Sequence, residues 1–384
     1  MKTFDWFSKE NYILINPSHP SNFHQLVEGQ LNKIPIEEHF WIGTSGTTES
    51  SSTKWVALSK QSILNSAIAV NKHLQSNFSD IWIHTLPDFH VGGIGIWARA
   101  YLTGAKVIDY KTLFNKWDPT NFYSLCLETM PTCCALVPAQ LFDLIKNKFR
   151  APTSMRACII GGGVLNQSLY FQARELGWCP LPSYGFSECA SQVATASLDS
   201  LDDSVFPKMK ILSHIVNVEL NDQRKLKVKS NSLLSYYAFV NETEFSYFDP
   251  KVEGWFQTED VMEIGDKEDF LNPLGRLDDF IKIGGESVNV SILNELLENI
   301  KLAVSFTGDC ALFPFPDTRL GHVIHLVVSE DVDELILKLV IAEYHKSTLP
   351  FEKIRKVHCL KQIPRTELKK LKTKKLLNEI MSKF

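Results

Sequence analysis

Ser183-Tyr184-Gly185-Phe186-Ser187-Glu188 sets an aromatic–glycine turn directly before a hydroxyl and a carboxylate. Far upstream, Thr44-Ser45-Gly46-Thr47-Thr48 forms a small, hydroxyl-rich loop with Lys54 beyond it. Work on a triphosphate needs these parts: backbone and hydroxyl donors for phosphate oxygens, a flat ring for a base, and a carboxylate for Mg²⁺. Tyr184 suits stacking on a purine, Ser187 can donate to a phosphate, and Glu188 can hold the metal ion. Each piece alone has an ordinary reading, as a Ser/Thr turn, a buried tyrosine or a surface acid. Together and in this order they point to a nucleotide.

Around these motifs the first two-thirds of the chain alternates short apolar runs with amphipathic stretches. Ile81–Leu86, Ala105–Ile108, Cys134–Val137 and Ala157–Ile160 read as strands; Gln61–Leu74, Pro138–Lys146 and Gln167–Leu176 read as helices. That alternation predicts a layered α/β architecture with parallel strands. Between about 208 and 274 the pattern changes. Val216–Leu220 and Lys225–Lys229 alternate with period two around Asn221-Asp222, which predicts an antiparallel, β-rich subdomain. After Gly275-Arg276-Leu277-Asp278-Asp279 come a strand at Phe280–Ile283, a Gly284-Gly285 turn and a helix at Ser291–Leu297. The expected division is a large domain over 1–276 and a small α+β domain over 277–384, ending in a basic tail.

With 384 residues the chain is long enough for more than one core. Its 44% hydrophobic and 22% charged content is that of an ordinary globular protein, and a net charge of −4 gives no reason to expect nucleic acid or an anionic membrane as partner. No apolar run is long enough for a membrane span, and Met1–Asp5 lacks the apolar core of an export signal. The eight cysteines show no Cys-x-x-Cys spacing and are expected to be free and mostly buried, which favours a reducing cytoplasm. Monomer and homodimer both stay open.

Further segments carry side chains suited to ligands. Ile159-Ile160-Gly161-Gly162-Gly163 is a strand ending in three glycines, which let a planar ligand approach backbone, although such a run is more often a turn. Asp260, in Gly254–Asp260, stands at a strand end where a carboxylate could accept both hydroxyls of a ribose. His90 sits in Leu86-Pro87-Asp88-Phe89-His90-Val91-Gly92-Gly93, whose two glycines suggest a tight turn beside a pocket. Arg99, Ser191 and Gln192 are candidates to receive an anionic group on a substrate, with Arg99 as easily read as a helix-surface residue.

Taken in order, from about Trp41 to Leu376, these segments resemble the adenylate-forming superfamily of acyl-CoA ligases, luciferases and peptide-synthetase adenylation domains. The resemblance implies that Thr44–Thr48 and Lys54 serve the phosphates, with Gly161–Gly163 and Tyr184-Gly185 at the adenine. Thr258-Glu259-Asp260 and Arg276 would serve the ribose, and Asp278 would be a hinge for a mobile small domain. Pro364–Lys370 resembles the motif that carries a catalytic lysine, here Lys370. Leu86–Gly93 with Arg99, Ser191–Thr195 and Ile283–Val288 look most like the o-succinylbenzoate–CoA ligases of menaquinone biosynthesis. The implied chemistry is activation of a carboxylate by ATP with Mg²⁺, then transfer to CoA across the Gly284-Gly285 face. Departures are Glu49, Glu259 and Lys369, each where the family usually has glycine, and the lengthening Ser50-Ser51-Ser52. Two other readings stay open: a general aryl- or fatty-acyl-CoA ligase, and a non-catalytic relative that binds nucleotide or acyl ligand.

Overall fold

The computed structural model describes residues 4–43, 53–265, 269–276, 279–366 and 371–382. The expected phosphate-loop residues Thr44–Thr48, the departures Glu49–Ser52 and Lys369, the expected hinge Asp278 and the expected catalytic Lys370 lie outside these residues. The chain divides into two compact units. The first comprises Met1–Gly162, Ala173–Thr258 and Glu263–Asn272; the second comprises Gly163–Gln172, Glu259–Met262 and Pro273–Phe384.

The α/β expectation holds element by element. Ala157–Ile160, Pro138–Lys146 and Phe280–Ile283 fall where the patterning puts them, and the other strands and helices, one helix excepted, shift by a residue or two at their ends. Cys133–Leu136 stops before Val137 because Pro138 opens a helix, where its missing N–H costs nothing. The helix expected at Ser291–Leu297 is longer, Val290–Ala303. The Asn289 side chain caps its first turn, and buried Leu293, Leu297 and Ile300 continue one apolar stripe past the expected end.

One large sheet runs in the order Ile215–Leu220, Lys225–Ser230, Phe256–Ile264, Phe270–Arg276, Met209–Ile211, Ser191–Thr195, Pro180–Phe186, Ala157–Ile160, Cys133–Leu136, Ile81–His84 and Lys106–Asp109. From Pro180–Phe186 to Lys106–Asp109 all neighbours are parallel. Cys133–Leu136 and Ala157–Ile160 are buried throughout, so they read as continuous apolar runs, as strands covered on both faces must. The hairpin around Asn221-Asp222 is antiparallel, with Val218 opposite Val228.

A five-stranded sheet, Tyr12–Leu14, His39–Gly43, Thr53–Ser59, Tyr236–Val240 and Phe245–Phe248, lies over a core of Trp41, Trp55, Val27 and Leu31. The β-rich stretch is therefore shared between two sheets, because Tyr236–Val240 pairs antiparallel with Thr53–Ser59. In the second unit, Glu286–Asn289, Phe280–Ile283, Gly321–Ser329 and Cys310–Asp317 form a sheet to which Ile354–Leu360 adds in parallel. Gly284 and Gly285 link the first two strands with φ of +61° and +95°, the left-handed conformation a two-residue hairpin turn demands.

Candidate active site

The first group of site residues gathers where the strand Pro180–Phe186 ends. Tyr184 and Gly185 lie in that strand, and Ser187-Glu188-Cys189 follow as one tight helical turn. A register shift between Tyr184 and Gly185 kinks the strand against Ser191–Thr195. A Cβ on Gly185 would run into the Ser191 carbonyl, so glycine is the residue that permits the kink. Gly161 and Gly162 end the adjoining parallel strand, Gly162 with φ of +76°. Ligands of open parallel sheets sit at such strand ends.

Glu188 is held by two residues from neighbouring strands. The Tyr237 hydroxyl donates to Glu188 Oε1 at 2.6 Å, and Lys54 Nζ lies 3.4 Å from the same oxygen. The Lys54 ammonium also stands 3.7 Å from the centre of the Tyr237 ring. Register explains the meeting. Tyr237 pairs with Val56 and Phe239 with Lys54, so Lys54 and Tyr237 are diagonal neighbours on one face of the sheet. Burial, and then the Glu188 charge, push the Tyr237 phenol far above its ordinary range, so the hydroxyl remains a donor. Both contacts fall on Oε1 among the described residues. A carboxylate with its other oxygen available, beside a lysine suited to phosphate, fits a Mg²⁺ ion carried in on a nucleotide.

A second cluster forms around Asp88. Asp88 Oδ1 accepts from His84 Nε2 at 2.8 Å, Lys111 Nζ at 2.9 Å and Trp97 Nε1 at 2.9 Å. Lys111 also donates to the Leu86 carbonyl at 2.7 Å, clamping the loop by backbone and side chain. Burial alone would raise the Asp88 carboxyl, but the His84 hydrogen bond and the Lys111 charge hold it well below the usual carboxylate range. His90 precedes the helix Val91–Thr103, and a Cβ on Gly93 would collide with the Pro87 carbonyl. The tight turn falls just before the two glycines, at Pro87–His90, where His90 N–H donates to the Pro87 carbonyl at 3.1 Å; Gly92 and Gly93 themselves lie in the first turn of the helix.

Arg99, on that helix, is not the surface residue it could have been. It is 2% exposed, and its Nε and Nη1 have no hydrogen-bond partner among the described residues. Its guanidinium lies 5.4 Å from the centre of the Trp82 ring. Burial pushes its pKa down to about 10, so it stays charged at neutral pH. On the strand Ser191–Thr195, Gln192 is buried and accepts from Thr195 Oγ1 at 2.6 Å, Thr195 in turn contacts Ser183 Oγ at 2.9 Å, and Ser191 is half-buried.

In the second unit, Arg276 Nη1 lies 3.2 Å from Asp260 Oδ1, which brings the two expected ribose residues together. Thr258, grouped with the first unit, is buried. Gly284 and Gly285 form the turn already described, and a Cβ at Gly285 would meet open space. Arg365 grips Asp309 with two prongs, Nη2 to Oδ1 at 2.6 Å and Nε to Oδ2 at 2.9 Å.

Tyr237, His84, Asp88 and Lys111 were not among the expected site residues. Tyr237 lies in an aromatic strand that reads as core, and nothing local marks its hydroxyl. Asp88 lies inside Leu86–Gly93, where a carboxylate between Pro87 and Phe89 is the available signal.

A family model described as AMP-binding enzyme matches residues 32–230, more than half of the chain. The curated 2-succinylbenzoate–CoA ligase of Bacillus pumilus (strain SAFR-032) is 25% identical over 365 residues, covering 91% of this chain and 72% of the relative. The solved o-succinylbenzoate CoA synthetase of Bacillus subtilis in complex with the acyl-adenylate intermediate superposes with a TM-score of 0.73 at 22% identity, over 88% of this chain and 68% of that one. The same enzyme in complex with ATP and magnesium ion gives 0.70 at 22%, over 88% and 69%. These two structures share the fold of this chain. Among the described residues no helix is long and apolar enough to cross a membrane, and the eight cysteines are free, six of them buried.

Proposed function

The chain belongs to the AMP-binding enzyme family, and from that premise we propose that it is an ATP-dependent acid–CoA ligase whose acid is o-succinylbenzoate. The observation that carries the choice of acid is Arg99. A buried guanidinium without a partner for Nε and Nη1 is costly unless an anion arrives to meet it. o-Succinylbenzoate has two carboxylates. One is activated, and the other can pair with Arg99, with Ser191 and Gln192 as further hydrogen-bonding groups and His90 at the pocket wall. The likeness to a 2-succinylbenzoate–CoA ligase supports the same acid, and the family assignment supports the adenylating chemistry.

The reaction has two displacements. A carboxylate oxygen of the acid attacks the α-phosphorus of ATP, a new P–O bond forms, and pyrophosphate leaves with the old bond pair. The CoA thiol, losing its proton, then attacks the acyl carbonyl, and AMP leaves. In this reading Thr44–Thr48 and Lys54 hold the phosphates. Tyr184 and Gly161–Gly163 flank the adenine, while Asp260 and Arg276 take the ribose. Lys370 bridges the carboxylate and the polyphosphate while charge redistributes in the first step. Mg²⁺, held by Glu188, would neutralise charge on the phosphates. The Gly284-Gly285 turn leaves room for the pantetheine arm of CoA.

Pyrophosphate release with a panel of acids tests the proposal. o-Succinylbenzoate should exceed benzoate and medium-chain fatty acids in kcat/KM by about 100-fold or more, the scale set by pairing a buried charge. Equal or faster use of a plain fatty acid would refute it and favour a general acyl-CoA ligase. No pyrophosphate with any acid would favour a non-catalytic binder.

A further inference from the structure

We infer that Tyr237 is the positioning residue that makes Glu188 a competent metal ligand, and that it acts through Glu188 and not by touching substrate. The inference rests on the proposed ATP reading of this site and goes beyond it. Three observations converge. The Tyr237 hydroxyl donates to Glu188 Oε1 at 2.6 Å, a short, charge-assisted bond. The same ring carries the Lys54 ammonium on its face at 3.7 Å, so one side chain orients both the carboxylate and the cation beside it. The ring itself is locked. Tyr237 is 8% exposed, its strand is fixed by pairing on both sides, and Phe248 and Phe256 meet it edge-on with centroids 5.9 and 6.3 Å away.

Glu188 needs such help because of where it stands. It lies in a single turn of three residues followed by Ala190 and Ser191, both at positive φ, so the backbone there has no long element to hold it. The chain ties it at two points. Leu234 N–H donates to the Glu188 carbonyl at 2.8 Å, and Tyr237, three residues further on, takes its carboxylate. The segment 234–237 is thus a brace for Glu188. By occupying Oε1, Tyr237 turns Oε2 toward other ligands and fixes the rotamer that a metal ion would otherwise have to select. Lys54 opposes the carboxylate charge before nucleotide arrives, and the tyrosine ring offers that ammonium a second resting place when phosphate and metal ion enter.

Tyr237→Phe separates the hydroxyl from the ring. It keeps the packing and the cation–π contact and removes only the bond to Oε1. Mn²⁺ binding in the presence of a non-hydrolysable ATP analogue, read by electron paramagnetic resonance, should weaken about tenfold, the scale of one charge-assisted hydrogen bond. The Mg²⁺ concentration for half-maximal adenylation should rise in parallel. Affinity for the analogue without metal ion, and the conversion of supplied acyl-AMP and CoA to thioester, should change less than twofold. Unchanged Mn²⁺ binding in Tyr237→Phe overturns the inference, and so does an equal loss of metal-free nucleotide affinity, which would mark a packing role. Glu188→Gln separates the two levels. If it weakens Mn²⁺ binding and Tyr237→Phe does not, only the positioning role fails; if Glu188→Gln leaves Mn²⁺ binding intact, the metal assignment fails and takes this inference with it.

Discussion

The guanidinium of Arg99 stands over Trp82, its central carbon 5.4 Å from the ring centre, in the buried space between a helix and the parallel sheet. A cation–π contact offsets part of the cost of burying a charge, but two of its nitrogens remain without hydrogen bonds among the described residues. Such an arrangement costs stability, and under the proposed function the second carboxylate of the acid would complete it.

Arg99→Met should therefore separate stability from function. Methionine fills similar volume without a charge, so the melting temperature should stay level or rise by a few degrees, as when buried charges are replaced by apolar residues. Use of o-succinylbenzoate should fall by roughly 100-fold in kcat/KM, the worth of a buried charge pair, while a simple aryl monocarboxylate loses little. Thermal unfolding and pyrophosphate release on the same preparation decide it. A large loss of stability with unchanged acid preference would mean that Arg99 is structural.

Asp260 accepts from Arg276 at 3.2 Å, with Arg276 about half exposed. Removing the carboxylate in Asp260→Ala should raise the KM for ATP by about 10- to 100-fold, corresponding to the loss of one or two charge-assisted hydrogen bonds. The KM for the acid should barely move. A variant that adenylates with the parent's ATP dependence would remove Asp260 from the nucleotide site.

Lys370→Ala should abolish formation of acyl-AMP from ATP and acid, yet leave the conversion of supplied acyl-AMP and CoA to thioester. A compact cation on a long stem is suited to bridging two anions in the first step and is not needed once pyrophosphate has gone. Single-turnover assays of each half-reaction read the outcome. Loss of both in a folded variant, or of neither, would take the role from Lys370, and Lys369→Ala provides the neighbouring control.

His325 Nδ1 and His358 Nε2 face each other at 3.0 Å in the second unit, beside the rings of Phe313 and Phe315. Burial, then the neighbouring His358 and Lys356, push His325 down to about 4. A histidine with a lowered folded pKa binds fewer protons folded than unfolded between that value and about 6.5. Stability is thus complete above pH 6.5 and declines as pH falls toward 4, by up to about 3 kcal/mol. Hydrogen exchange of Gly321–Ser329 across this range should show the decline, and His325→Phe should flatten it. Protection independent of pH in the parent chain would refute the assignment.

Architecture and the order of the ligand motifs are legible in the residue pattern alone. Strand and helix alternation, Pro138 opening a helix, Asn289 capping another and Gly284-Gly285 turning a hairpin are local effects, set within a few residues of one another. The place of Arg99 was half legible: it is the lone charge in Val91–Thr103, where Ile94, Ile96, Ala98 and Ala100 point to a helix covered all round, and such a helix buries what it carries. What Glu188 meets is not local and follows from how distant strands pair. Lys54 is 134 positions from it and Tyr237 is 49, and they come together because Tyr236–Val240 crosses to pair with Thr53–Ser59. The His84–Asp88–Lys111–Trp97 cluster and the His325–His358 pair have the same origin. Residue periodicity says which face of an element seeks the core, but strand neighbours and their register are chosen by long-range packing. A polar group's partner is set by that choice.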